Sequence, residues 1–431
     1  MPFDTSSSAP RRIAVIGAGI SGLAAAYLLG GPHRVTLFEG ERRLGGHART
    51  VIAGRRGDQP VDTGFIVFNR ATSPNLCALF EALDVPVADS NMSFGASFDG
   101  GRFEYALQGL DTIFAQRRNL FDPRYLRMLR DILRFLARAR DTVTDPEMTV
   151  GEMIETLRLG RWFRDRYLLP FSGAIWSTPA EEIAGFPALA MVRFFDNHAL
   201  LNYSGQHQWH TVQGGSVEYV RRLQGALSAR GVVVRAGAPV RAVHRTDAGV
   251  SVRVEGAEWE AFDEVVFATH SDDSLALLAD ATAAERAALG AVRYQPNRAV
   301  LHADDSVMPR RRKVWASWVY SEEAGHRGGP VAVSYWMNSL QPIPQDDPMF
   351  VTLNSRRPIR EELIYDEVTF RHPVYDLAAM RGQEAVRAMN GTRNTWFCGA
   401  WMRNGFHEDG FASACDVVEG MAQRDAGRVA A

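Results

Sequence analysis

The residue types fit for chemistry gather near the two ends of this 431-residue chain. Toward the start, Gly17-Ala18-Gly19-Ile20-Ser21-Gly22 is a turn suited to a diphosphate. Gly17 permits the tight turn, Gly19 lets backbone approach the phosphates, and Gly22 allows a helix to pack closely on a strand. Ile20 and Ser21 open that helix, whose N-terminus offers N–H donors and a partial positive charge. Glu39 stands twenty residues after Gly19, where a carboxylate accepts hydrogen bonds from both hydroxyls of a ribose. Gly40, Arg43, Gly45, Gly46 and His47 follow, and they place further N–H groups and a cation against the same diphosphate. Asp62-Thr63-Gly64 comes shortly after, with Thr63 and Gly64 as contact candidates. A GxGxxG string alone is also met as an ordinary glycine-rich turn; strand, glycines, helix, strand and acid in succession make it a dinucleotide site.

The elements that must position these residues follow from local pattern. Ile13 to Ile16 is a short, wholly apolar run, as expected of a strand covered on both faces. Leu23 to Leu29 is helix-forming, and Val35 to Phe38 is the next strand. Farther on, a helix is expected over Val217–Arg230, then strands over Val232–Arg235, Val240–Arg245, Val250–Val254 and Glu264–Thr269. At the other end, Asn394 to Cys398 reads as a strand, followed by Gly399-Ala400 and a helix from about Gly410 to Ala422.

Composition sets the outer bounds. Hydrophobic residues make up 46% and charged residues 23%, ordinary for a globular protein of more than one domain, and the net charge of −2 leaves no footprint for nucleic acid. Three scattered cysteines form neither a disulfide framework nor a zinc site, and no metal is expected. Residues 1–10 read as a polar tail, and no stretch approaches the roughly 20 apolar residues of a spanning helix, so a cytoplasmic protein is expected. Tyr125 to Arg140 has helical period, with Leu126, Leu129, Leu133 and Leu136 on one face and Arg127, Arg130, Arg134 and Arg138 elsewhere. Two readings stand: a surface helix with a solvated arginine face, or a basic helix in peripheral contact with anionic lipid at the inner membrane face. Met308 to Lys313 is a second short basic run.

The glycine turn, the Arg43–Thr50 segment and the closing strand and helix together resemble the flavin amine oxidase superfamily. That resemblance implies an α/β fold: a discontinuous Rossmann-type FAD-binding domain with an inserted α+β substrate domain. The FAD-binding domain is expected over 11–90, 208–270 and 390–431, and the substrate domain over 91–207 and 271–389. FAD would be held without a covalent bond, Cys398 being a small core residue in a buried strand. Val240 would offer its backbone near the adenine. Gly399, Ala400 and the backbone of Gly410, Phe411 and Ala412 would face the flavin, where a helix dipole stabilises negative charge on the reduced ring.

Six further strings narrow the resemblance: DTGFIVFN (62–69), SNMSF (90–94), QWHTVQGGS (208–216), ATHSDDSLALL (268–278), RRKVWASWVY (311–320) and GAWMRNGFHEDGFASA (399–414). On these the chain is similar to bacterial FAD-dependent oxidoreductases associated with cyclopropane-fatty-acyl-phospholipid synthases. It is also similar to the flavin domain fused ahead of plant cyclopropane fatty acid synthases and, more distantly, to FAD-dependent polyunsaturated fatty acid isomerases. The group implies oxidation or desaturation of methylated or unsaturated acyl chains, with a fatty acyl or phospholipid substrate and a cyclopropane-synthase-like methyltransferase as partner. A double-bond isomerase and an amine oxidase are the alternatives. Many amine oxidases hold a lysine by water near flavin N5, and the sole lysine here, Lys313, sits in a basic run.

Flavin oxidation needs a carbon held against the ring, a dry cavity and tuned electrostatics rather than a covalent nucleophile. The most chemically loaded string is Asn404 to Gly410. His407 either exchanges a proton near neutral pH or hydrogen-bonds the flavin; Glu408 or Asp409 orients it or caps the helix. His207, His210 and His372 are lesser candidates. Tyr335 and Trp336 would flank the substrate. Of the aromatics in the insertions (Phe163, Tyr167, Phe171, Trp176, Phe194, Phe195, Trp315, Trp318, Tyr335 and Trp336), most are expected in the core and three or four at a substrate site.

Overall fold

A computed structural model describes residues 10–201, 207–325 and 328–430, so the tail expected over residues 1–10 lies, apart from Pro10, outside the described residues. Strand β1 (Arg12–Ile16) runs into helix α1 (Ile20–Leu29) and returns as β2 (Arg34–Phe38). Each strand exposes its leading arginine and buries the other four residues, the pattern of a strand covered on both faces. Strands β3 (Val233–Arg235), β4 (Glu264–Phe267) and β5 (Thr395–Phe397) complete a sheet ordered β3-β2-β1-β4-β5, parallel throughout. Three distant stretches of chain therefore meet in one sheet. Buried Glu264 ties them at one edge, accepting from Trp396 Nε1 at 2.6 Å, from Arg424 at 2.6 Å and from Arg11. A buried carboxylate is tolerable there because it is fully paired.

An antiparallel meander, Val240–Thr246, Gly249–Val254 and Trp259–Phe262, links β3 to β4; its last strand was not foreseen. The closing helix spans His407–Ala430 and so begins three residues earlier than expected. The cause is Asp409, whose carboxylate accepts the Phe406 N–H at 2.9 Å and starts the helix one turn sooner.

The second sheet has seven strands, ordered Ile364–Val374, Arg293–His302, Phe350–Leu353, Val333–Trp336, Trp318–Ser321, Phe94–Phe98 and Phe103–Ala106. Its two halves come from separate stretches and join where Trp318–Ser321 pairs in parallel with Phe94–Phe98. Asp62 clasps the region between the sheets. It accepts from Thr50 Oγ1 (2.6 Å), Ser216 Oγ (2.7 Å) and Gln341 Nε2 (2.9 Å), and burial pushes it up to about 6.

The arginine-rich helix spans Pro123–Thr142, capped by Asp122, which accepts the Arg124 N–H. Its inner face is not the leucine stripe. Tyr125, Met128, Ile132, Phe135, Leu136 and Ala139 are buried, whereas Leu126 and Leu133 are exposed. The aromatic core of Phe94, Tyr105, Phe163 and Phe195 takes the larger side chains and turns two leucines outward. Among the described residues no helix is long and apolar enough to cross a membrane.

Candidate active site

A cavity of about 1300 Å³ runs from the glycine turn to the second sheet. One end is main chain. Gly17 turns with φ +98° and donates its N–H to Phe38 O at 2.8 Å. A Cβ on Gly22 would lie 1.7 Å from Gly17 O, so only glycine lets α1 sit this close. At Gly19, by contrast, nothing lies within 4 Å of where a Cβ would stand. Gly45 donates to Ala18 O at 2.8 Å and so brings the second glycine pair beside the first. Glu39 ends β2 with its carboxylate accepting from the N–H groups of Ala18 (2.7 Å) and Glu41 (2.9 Å). Hydrogen bonds from Gly237 to Glu41 O and from Ala238 to Glu39 O set Glu39 and Gly40 beside the start of the Val240 strand.

Of the expected contact residues, Gly19, Ile20, Ser21, Gly46, His47, Gly64, Gly399, Ala400 and Ala412 line the cavity. Gly17, Gly22, Glu39, Gly40, Arg43, Gly45, Thr63, Val240, Gly410 and Phe411 do not. Several of these have other work. Arg43 pairs with Glu41 at 3.0 Å, and Thr63 Oγ1 exchanges hydrogen bonds with Arg49. Gly410 carries the correction that follows from the earlier helix start. Its N–H donates to Phe406 O at 3.1 Å, so the unshared N–H groups of the first turn belong to His407, Glu408 and Asp409. Gly410 instead permits close packing: a Cβ there would meet Ile20 Cγ2 at 2.7 Å and Ser21 Oγ at 2.8 Å. Phe411 is core.

His407 stacks on Phe65 with ring centres 3.9 Å apart, and its Nε2 lies 2.6 Å from Tyr219 Oη. Burial, aided by His47, lowers it to about 3. The imidazole is neutral at pH 7, which favours the hydrogen-bonding alternative for His407 over proton exchange. Glu408 is corrected. Its carboxylate accepts from Asn75 N (3.1 Å), Asn75 Nδ2 (2.7 Å) and Leu76 N (2.9 Å), capping helix Pro74–Ala82 rather than orienting His407. Burial raises Asp409, the helix starter, to about 6.

Three more neutral histidines stand in the wall. His47 stacks on Phe370 at 4.7 Å, with His372 at 5.5 Å and His270 at 6.0 Å. Burial lowers them to about 4, 3 and 3 respectively. His372 Nδ1 lies 2.9 Å from Asn297 Nδ2. The sequence reading missed His270 and Phe65. His270 stands just beyond the carboxyl end of β4, where ligands of open parallel sheets bind, and that position was the available signal. His207 and His210 do not line the cavity; His210 faces Asp89 at 3.3 Å.

The far end is ring and alkyl surface: Phe171, Ile175, Trp176, Phe194, Trp318 and Tyr335. Tyr335 packs edge-on to Trp318 at 5.3 Å, and burial pushes its hydroxyl up to about 12 despite a hydrogen bond to Ser177. Trp336 was expected beside it and is not there. Strand alternation sends it to the opposite face, against Trp315 and Arg312. Cys398 is fully buried in the core as expected, its thiol raised to about 12.

The residues present fit FAD. Open space beside Gly19 faces the unshared N–H groups at the start of α1, a donor set for a diphosphate. A second helix start, at His407, lines the same cavity and suits an anionic ring.

Comparison with known proteins agrees. Over 96% of its length the chain superposes on 99% of a CLA-producing fatty acid isomerase from P. acnes, with TM-score 0.69 and 16% identity. It superposes equally on a single-site variant of putrescine oxidase, with TM-score 0.69, 16% identity and the same coverage of both chains. Cyclohexylamine oxidase from Brevibacterium oxydans IH-35A gives TM-score 0.65 and 14% identity over 96% of this chain and all of that one. At such identities these show a shared fold. An L-amino-acid oxidase of Sistrurus catenatus edwardsii is 51% identical over 47 residues, which are 11% of this chain and 9% of that protein. Residues 20–337 match the family described as flavin containing amine oxidoreductase. The chain belongs to that family and is an FAD-dependent oxidoreductase.

Proposed function

We propose that the protein oxidises or desaturates fatty acyl chains of lipids, methylated or unsaturated, at the aromatic end of its cavity. One observation carries this reading. Phe171, Ile175, Trp176, Phe194, Trp318 and Tyr335 give the cavity a patch of ring and alkyl surface, and the carboxylates that also line it are engaged elsewhere, Glu408 and Asp409 with main-chain N–H groups and Asp416 with Arg403. Such a patch recognises alkyl chain, and burying ten methylenes would contribute roughly 8 kcal/mol before ordering costs. Lys313 argues against ordinary amine oxidation, since it pairs with Asp111 at the surface and does not line the cavity.

When bound, FAD supplies the two-electron acceptor. The chain supplies place and dryness. Tyr335, Trp318 and Phe94 stand side by side on one face of the second sheet, and Phe171 lies against Phe94 at 4.8 Å. His407, held in place by Tyr219 and Phe65 and kept neutral by burial, keeps a charged group away from the reacting carbon. A methyltransferase of the cyclopropane-synthase type is the partner whose product would suit this surface.

The test is anaerobic mixing of the FAD-loaded protein with phospholipids bearing methylated or unsaturated chains. Loss of the yellow absorbance with such lipids, and not with primary amines, is the expected result. A flavin left oxidised by every lipid but bleached by an amine would overturn the reading. Likeness to a fatty acid isomerase keeps a double-bond isomerase as the second reading. It predicts a product of unchanged mass and no consumption of oxygen.

A further inference from the structure

We propose that the surface formed by residues 110–140 docks the protein onto a bilayer leaflet rich in anionic phospholipid, beside an opening of the cavity. The first observation is apolar exposure. Phe121 and Leu110 are the two most exposed large apolar side chains among the described residues, at 86% and 76%, and Leu120 and Leu126 are exposed beside them. Scattered exposed leucines are ordinary, but a cluster on one short stretch is not.

These residues form one body. Tyr125 Oη donates to Ile113 O at 2.7 Å and its ring meets Phe114 edge-on, so the Leu110–Ile113 turn, the Arg117–Phe121 turn and the arginine-rich helix move together.

Charge is the second observation and chooses the partner. Between Leu110 and Arg140 stand eight arginines and three aspartates, on a chain whose net charge is −2. All three aspartates are engaged. Asp111 pairs with Lys313 and Arg117, Asp122 with Arg124, and buried Asp131 accepts from Gly160 N while Arg127 and Arg130 flank it. Arg134 and Arg138 form no ion pair among the described residues. Exposed apolar tips on a stretch with five more arginines than aspartates, Arg134 and Arg138 outside any ion pair farther along the same helix, match an acyl boundary beneath a phosphate layer. A purely solvated arginine face would leave Phe121 unexplained.

Position is the third. Leu107 and Gln108 line the cavity, and Gln108 is exposed, so an opening lies two residues from Leu110. A chain drawn from the leaflet would enter there. The docking is read without turnover, so its outcome is separate from that of the acyl-oxidation reading.

The test is co-sedimentation of the full FAD-loaded chain with vesicles of phosphatidylcholine alone, or with about a third phosphatidylglycerol. Binding to the mixed vesicles, released by salt, is expected, with little binding to phosphatidylcholine alone. Leu110→Ser with Phe121→Ser should weaken it about tenfold or more. Arg134→Ala with Arg138→Ala should weaken it about fivefold per arginine. Both pairs are surface changes, so flavin content and melting temperature should match the parent protein and certify folding. Equal binding to both vesicle types, or variants that bind like the parent, would overturn the proposal. So would a dimer in lipid-free solution that Leu110→Ser with Phe121→Ser dissociates, since a second copy would then own the patch.

Discussion

At Gly19, Gly46 and Gly64 the cavity wall is main chain, whereas at Phe171, Trp176, Phe194, Trp318 and Tyr335 it is aromatic side chain. The two ends obey different rules. Main chain recognises through N–H direction and helix dipoles, which depend on where the backbone can go rather than on which side chain is present. Rings recognise through shape and dryness, which many residue sets supply. The first end therefore constrains residue type tightly; the second tolerates many residue sets and, under the proposed function, is where the substrate is chosen.

The sharpest way to break this contrast is at two glycines three residues apart. Gly22→Val should abolish soluble, flavin-loaded protein, a loss above about 3 kcal/mol, because its side chain would enter the Gly17 carbonyl. Gly19→Ala should fold normally, since the space there is open, yet hold FAD more weakly. Flavin absorbance and melting temperature read both, and equal behaviour of the pair would refute the assignment of distinct roles.

Next in size is acid sensitivity. His47, His270, His372 and His407 have folded values of about 4, 3, 3 and 3 against 6.5 unfolded, so the unfolded chain binds more protons below pH 6.5. Their stability is whole above that pH and is lost as pH falls toward 4. Asp62 and Asp409, raised to about 6 from 3.8, act oppositely and offset two of the four protons. The net loss from these six groups is roughly 3 kcal/mol per pH unit between 6 and 4. Melting temperature followed over that range should fall steeply, and His372→Gln should flatten the slope by one proton. A flat profile would mean these imidazoles are not buried together.

The smallest effect is expected where the two ends touch. Glu408→Ala removes the cap of helix Pro74–Ala82 and should cost about 1–2 kcal/mol in denaturant unfolding. Turnover by the fully folded variant should stay near that of the parent. A collapse of turnover with unchanged stability would restore Glu408 to the chemistry.

The elements at the backbone end were legible because their signals are local. Gly17, Gly19, Gly22 and Glu39 lie within one strand–helix–strand unit, whereas the roles of Gly399, Ala400 and the closing helix rested on resemblance to a family. The far end was legible only in kind. Tyr335 and Trp336 are neighbours in sequence, and which one faces the cavity is decided by strand register. Glu408 finds its partners at Asn75 and Leu76, some 330 residues away, which no local pattern encodes. Leu126 and Leu133 had the right period for a core face, but larger aromatic side chains one step around the helix won that position.

Glu264 accepts from Arg11, Trp396 and Arg424, which has a consequence for how the protein is made. During synthesis the glycine turn emerges early, but edge strand β5, two places from β1 in the sheet, and the helix lying on α1 emerge some 380 residues later. A nascent chain on the ribosome therefore carries an open, one-sided cradle for most of translation. The cavity is walled on that side only once residues 395–430 are in place, because Gly399, Ala400, His407 and Ala412 line it.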